Sequence, residues 1–267
     1  MKLVGQPTRG KTAPNRLRKT DAFLAIAYAE RLRAMRGLYV DLGYGAAPVT
    51  SRETLWRLRR INPSLRVLGV EIDPARVAEA QRFTEPGLEF RLGGFNLPLR
   101  AGERAGIVRA FNVLRQYDEA AVAEALAHLA VHLEPAGLVV EGTSDPTGRL
   151  MTFLVHERSA AGLARAALVF APSLGAAFEP RQLQAVLPKT FIHHAEPGGD
   201  VDAFFAAWQR AWRAALAPAG DARGRFACAA RALADEGWAA ARRPTLLRRG
   251  FLALGPAWPA RGAAGPA

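Results

Sequence analysis

An α/β fold wound around a mostly parallel sheet is predicted by three features of this sequence. Short apolar segments of strand length alternate with segments of helical spacing across residues 37–157, the pattern of strands buried between two layers of helices. The segment Leu38-Tyr39-Val40-Asp41-Leu42 runs straight into Gly43-Tyr44-Gly45, a turn in which glycine lets the backbone bend sharply and approach a ligand. The segment Val67-Leu68-Gly69-Val70-Glu71 ends on an acid 28 residues after Gly43. A ribose bound at the strand ends could give both hydroxyls to that carboxylate.

The first element, Asp21 to Met35, has helical spacing, with Phe23, Leu24, Ala27, Leu32 and Met35 on one face. A helix begins near Thr50 or Ser51, either suited to cap it, and stops before Pro63; the next starts at Pro74 and reaches about Phe83. Strands are predicted near 88–92, 106–110 and 137–141, with a helix over Glu119–His132. Beyond Gly142 the alternation weakens: 143–148 reads as a turn, 150–156 and 164–170 as a hairpin, 180–187, 201–216 and 223–238 as helices, and 246–254 as a last strand. Trp208 and Trp212, four apart on one helix face, read as core.

Half the residues are hydrophobic, which excludes a disordered chain, and the apolar runs are too short to span a membrane. The N-terminus has charges but no apolar signal core, so a cytoplasmic protein is expected. Cys228 is the only cysteine, which excludes an internal disulfide and a multi-cysteine zinc site. The net charge of +12 sits at the ends: residues 1–36 carry +7, residues 221–267 carry +5, and 37–220 are neutral. Only four of the 36 basic residues are lysine, so arginine codon bias explains the excess as well as function does. The stretch Thr8–Lys19 could contact phosphates or be a solvated arm; it lacks interleaved aromatics for base stacking.

The residues also bear on the ligand. A dinucleotide fingerprint would need a third glycine where Pro48 stands, and Asp41 would repel a pyrophosphate while suiting an ammonium group. This pattern favours S-adenosylmethionine (SAM), with its ribose and ammonium and no phosphate, over NAD.

Five segments resemble, in register, those of class I SAM-dependent methyltransferases. Val40–Gly45 is similar to the first motif and Val70–Asp73 to the second. Gly93–Leu99 resembles the loop after the third strand, Ile107–Leu114 the fourth strand with the segment after it, and Leu133–Gly142 the entry to the fifth, with Ala136 replacing a glycine. The resemblance implies a Rossmann-like fold, here expected as a doubly wound, mostly parallel seven-stranded sheet with helices on both faces, an N-terminal helix and α-rich C-terminal additions. It divides the chain into a basic arm and helix (1–36), a SAM-binding core (37–157), C-terminal strands and helices (158–254) and a flexible tail (255–267).

It further implies that Asp41, Gly43, Tyr44 and Gly45 hold the methionine part, Glu71 and Ile72 the ribose and adenine, and Asn96 the adenine edge, with Asn112 in contact with cofactor or substrate. No catalytic residue is assigned and no metal is expected, since Glu141 and Asp145 make too thin an acidic cluster. Cys228 lacks the context of a cytosine-C5 nucleophile, and Phe111–Tyr117 lacks the Pro-Pro of the amino-group enzymes. Arg115, Gln116 and Tyr117 would face the substrate. His193-His194 reads as surface or packing rather than a base, and His128 and His132 as structural. The acceptor is expected to be a small molecule. The alternatives are RNA gripped by the basic termini, and a SAM- or nucleoside-binding module without turnover. Oligomeric state is not encoded in any motif.

Overall fold

The computed structural model describes residues 3–175, 177–192, 194–217 and 220–259. In chain order the elements are α1 Arg18–Ala27, α2 Ala29–Ala34, β1 Leu38–Leu42, α3 Val49–Leu58, β2 Val67–Glu71, α4 Pro74–Ala80, β3 Leu88–Leu92, β4 Ala105–Phe111, α5 Glu119–Ala130, β5 Leu133–Ser144, β6 Met151–Ser159, β7 Gly162–Phe170, α6 Lys189–Ile192, α7 Asp200–Ala214, α8 Ala222–Asp235, α9 Pro244–Leu247 and β8 Leu252–Leu254. They form one sheet in the order β3-β2-β1-β4-β5-β6-β7-β8.

The first five strands are parallel; helices join β1 to β2, β2 to β3 and β4 to β5, and a loop over 93–104 joins β3 to β4. Their side chains alternate between two layers: Tyr39 and Ile107 pack on the face of α1 and α3, Val40 and Val108 on the face of α5. Burial on both faces explains the near-continuous apolar strands. The order of connection reverses between β1 and β4, and at such a switch point the strand ends splay and leave a crevice.

The last three strands are antiparallel to their neighbours, and for β6 and β7 local chain length explains why. Residues 145–150 between β5 and β6, and 160–161 between β6 and β7, are too few for a crossover helix, so the chain must double back. Here α7 and α8 cover the sheet through an aromatic cluster in which Phe204 stacks on Phe170 (5.6 Å between centroids) and Trp208 meets Phe170 edge-on at 5.3 Å. Trp208 and Trp212 are core, as the sequence suggests.

Several expectations are corrected. The sheet has eight strands, not seven, because a short β8 adds to the edge beside β7. The expected last strand over 246–254 is the end of helix α9 and only three strand residues. The helix expected over 21–35 is broken at Tyr28 (φ −127°, ψ 29°). Thr50 and Ser51 do not cap α3; both hydroxyls donate to the Asp41 carboxylate at 2.8 Å, since a buried anion is the stronger acceptor. The short helix α6 follows Pro188. Of the tail expected to be loose, Trp258 is fully buried, while residues 260–267 lie outside the described residues, as does His193. Among the described residues, no helix is long and apolar enough to cross a membrane.

Candidate functional site

The crevice over β1, β2, β3 and β4 collects nearly all the expected site residues, but their side chains are committed differently from what the sequence suggests. The centre is a buried charge network. Asp41 and Arg109 face each other across the β1–β4 pair. Arg109, fully buried, forms a two-pronged pair with Asp41 (2.9 Å from Nε to Oδ1 and from Nη2 to Oδ2) and donates through Nη1 to Asp21 at 2.8 Å and to Thr54 at 2.7 Å. Arg57 supplies a second cation to Asp21 at 2.8 Å. Burial alone would discharge Arg109, but the adjoining Asp41 and Asp21 reverse that, and its affinity for its proton rises above the ordinary arginine value.

The Asp41 carboxylate, 2% exposed, is bonded within the fold: Oδ2 accepts from Thr50, Ser51 and Arg109, and Oδ1 from Arg109. The pair with Arg109 is neutral, so the argument that Asp41 repels a pyrophosphate falls. The network instead fixes the strand end from which Gly43 (φ 72°) and Gly45 (φ 88°) turn.

Glu71 ends β2, 1% exposed, where the sequence places it. Its Oε2 accepts the Gly45 N–H at 3.0 Å, which joins the glycine turn to the second strand, and its Oε1 accepts the Ile72 N–H at 2.9 Å. Arg76 lies 3.6 Å away. Tyr44 is buried and edge-on to Phe90 at 5.4 Å. Burial, and then the Glu71 charge, raise its hydroxyl above the ordinary tyrosine value, and the hydroxyl donates to the Arg76 carbonyl at 3.4 Å. Asn112 follows β4 in the left-handed region (φ 58°), a conformation asparagine tolerates better than most residues. Its amide is tied to Ser144 in both directions, at 3.1 and 3.2 Å.

The half of the crevice over β2 and β3 is filled by the chain's own N-terminal arm. The Val4 N–H donates to Asn96 Oδ1 at 2.9 Å and the Val4 carbonyl accepts from the Phe95 N–H at 2.8 Å. A donor and an acceptor on one rigid unit is also what an adenine edge offers. Gln6 N–H donates to the Tyr117 hydroxyl at 2.5 Å, Arg76 to the Thr8 carbonyl at 3.0 Å, and Ala46 N–H to the Gly10 carbonyl at 2.9 Å. A Cβ on Gly45 would come within 2.7 Å of that same carbonyl, and one on Gly94 would collide with the Val4 carbonyl. Only about 20 Å³ of free space remains around Glu71, Ile72 and Phe95. Tyr117, expected at the substrate mouth, therefore packs on Phe95 and holds the arm.

The other half is open. A cavity of about 410 Å³, within the range of small-molecule sites, lies between the glycine turn, Asn112, Arg115, Gln116 and arm residues Thr8–Thr12, with Arg16 in its wall. The basic residues at the base of the arm are partly spent on the fold. Arg16 donates to Ser144 and to the carbonyls of Lys11, Ser144 and Asp145, Arg18 to that of Thr147, and Lys19 to those of Arg149 and Ala171. Burial pulls Lys19 down to about 7.

The remaining candidates lie elsewhere. Burial pushes the Asp145 carboxyl up, but three backbone N–H groups of its own turn outweigh that and hold it below the usual aspartate range. Glu141 faces His156 at 4.0 Å. Among the described residues no three His, Cys, Asp or Glu side chains cluster as metal ligands would.

Solved structures with a similar fold include methyltransferases. The N-methyltransferase NodS of Bradyrhizobium japonicum, solved with S-adenosyl-L-homocysteine, is 16% identical with a TM-score of 0.33, over 48% of this chain and 62% of that one. The CcbJ methyltransferase of Streptomyces caelestis is 18% identical with a TM-score of 0.37, over 62% of this chain and 68% of that one. Magnesium protoporphyrin IX methyltransferase of Synechocystis, with bound S-adenosyl-L-homocysteine, is 17% identical with a TM-score of 0.34, over 48% and 54%. The match spans 46%, 59% and 62% of the first three structures found. No family model and no curated protein matches the chain. Likenesses this distant carry no argument about chemistry, which rests on the residues of the crevice.

Proposed function

We propose that this chain is a class I SAM-dependent methyltransferase acting on a small molecule. The observation that carries the reading is the convergence of Gly45, Glu71 and Asn96 at the carboxyl ends of β1, β2 and β3, with Glu71 Oε2 3.0 Å from the Gly45 nitrogen. A ribose carboxylate, a glycine turn and an amide for a base edge then share one side of the switch point. The five motif segments lie in register with it, and Pro48 in place of the third dinucleotide glycine argues against NAD. When bound, SAM supplies the methyl group from its sulfonium. Glu71 would then hold the ribose, Asn96 and the Phe95 N–H the adenine edge now met by Val4, and the glycine turn the methionine backbone. Asp41 acts through Arg109, by holding that turn in place.

On this reading SAM and residues 4–8 compete for the same groups, and the arm lifts when the cofactor enters. Calorimetric titration of the whole chain with SAM and S-adenosylhomocysteine, with NAD⁺ as control, tests it. Saturable binding of the first two and none of the third is expected, and Glu71→Ala abolishes it. Absence of SAM binding at millimolar concentration contradicts the reading. A second reading, a SAM- or nucleoside-binding module without turnover, is motivated by the absence of an assigned catalytic residue. Transfer of the methyl of labelled SAM to any acceptor would dispose of that module.

A further inference from the structure

The outer face of α3 carries a charge that neither the crevice nor the fold uses. The helix buries Ser51, Thr54, Leu55 and Leu58 against the sheet. Its other side presents a stripe at i, i+4, i+7 and i+8: Arg52, Trp56, Arg59 and Arg60. None of these four lines the open cavity. Residues 37–220 are neutral as a whole, yet 52–66 hold five arginines and a single acid, Glu53, which pairs with Arg57 at 3.1 Å. Among the described residues, Arg52, Arg59 and Arg60 form no ion pair with a carboxylate. Exposed arginines elsewhere do, as Arg82 with Glu79, Arg181 with Asp202 and Arg242 with Asp235.

Trp56 is the centre of the stripe. It is 52% exposed, whereas the other four tryptophans are at most 3% exposed. The Arg52 guanidinium lies over the Trp56 ring, 4.9 Å from its centroid, and over the Phe83 ring at 5.0 Å. Two rings thus hold one cation in place with no counter-charge, and its Nε is buried without a partner. An open indole flanked one turn away on each side by guanidinium groups answers two needs of one ligand. A strand with unstacked bases offers a ring for the indole and a phosphate at each step for the arginines.

Other anionic partners fit less well. A lipid surface, or the centre of a protein interface, calls for contiguous apolar area. Here Arg52 covers one face of the indole, and the other exposed large apolar side chains, Leu92, Val131 and Leu216, stand outside the stripe. A duplex keeps its bases stacked and leaves the indole without a ring.

We propose that the outer face of α3 binds a single-stranded polynucleotide, with a base stacked on Trp56 and phosphates met by Arg52, Arg59 and Arg60. The inference does not rest on the methyltransferase reading, and it makes the strand a bound partner rather than the methyl acceptor.

The burial of the other tryptophans makes intrinsic fluorescence a report on Trp56. Titration of the whole chain with decauridylate at low ionic strength should quench the emission saturably, with a midpoint that rises with salt. Trp56→Ala should weaken binding about ten-fold, read from the anisotropy of a labelled strand. Arg60→Glu should weaken it and flatten its salt dependence. Arg213→Glu, exposed on α7 across the sheet, changes the net charge by the same amount and should leave binding unchanged. Failure of decauridylate to bind overturns the proposal. So does an equal effect of Arg60→Glu and Arg213→Glu, which would mark a uniform response to net charge. Equal affinity for an RNA duplex of the same length overturns it by showing that the ring is not used. Binding of phosphatidylserine vesicles or poly-L-glutamate without binding of decauridylate overturns it in favour of a lipid surface or an acidic protein.

Discussion

The two halves of the crevice are built from the same strand ends and end in opposite states. The half over β2 and β3 is closed: residues 4–8 fill it, its polar groups meet the arm or their own backbone, and about 20 Å³ is left. The half over β1 and β4 is open, with about 410 Å³ and an excess of positive charge. The path of one segment separates them, since the arm closes the first half with Val4–Thr8 and walls the second with Thr8–Thr12. Closure and charge thus come largely from the same short segment, and the scaffold beneath is common to both.

The largest expected effect removes that common scaffold. Arg109→Met leaves Asp41 and Asp21 buried without their shared cation, which should destabilise the fold by about 3–5 kcal/mol and loosen both halves together. Denaturant unfolding reads the loss, and a change under about 1 kcal/mol would mean that the network is not structural. Next, removal of residues 1–10 opens the closed half and should tighten SAM binding about ten-fold, by removing the hydrogen bonds that SAM must otherwise displace. Gly94→Ala sharpens the comparison further. Its methyl group collides with the Val4 carbonyl, so the tip of the arm should detach while the open half keeps its cations. Hydrogen exchange at Val4, Phe95 and Gln6 should rise several-fold; protection equal to the parent's would show that the arm is not held there.

The smallest effect concerns Lys19, at the foot of the arm. Its proton affinity falls from 10.5 to about 7 in the folded chain, so above pH 7 the unfolded chain binds more protons than the folded one. Its contribution to stability should therefore rise with pH from about 7 to about 10.5 and stay constant below 7. Lys19→Met should flatten that part of the melting-temperature profile; an unchanged slope would exclude Lys19 as its source.

The parts of this architecture that sequence reveals are those fixed by local pattern. The span of β3 over 88–92, the Pro74 start of α4, and Gly43, Gly45 and Glu71 at their strand ends follow from periodicity and turn chemistry within a few residues. The hairpin of β6 and β7 follows from two loops too short for a crossover. The features that sequence hides depend on contacts far apart in the chain. Val4 meets Asn96 across 92 positions, and nothing in the arm's composition, basic and free of aromatic interleaving, announces that its backbone would fill the crevice. Local pattern leaves Asp41 free for a ligand because its partner is 68 residues away. A signal does exist, since Arg109 interrupts the apolar run Gly106–Phe111, and a lone arginine in a doubly buried strand requires an acid nearby. Thr50 and Ser51 look like caps for the same reason: propensity knows the helix start but not the anion beneath it.

The most direct test of the central claim is a side-by-side titration of SAM into the whole chain and into the chain lacking residues 1–10. Binding by both, tighter in the shortened chain and abolished in each by Glu71→Ala, is the predicted result. SAM binding by neither would mean that the glycine turn, Glu71 and Asn96 serve only the fold and the seating of the arm.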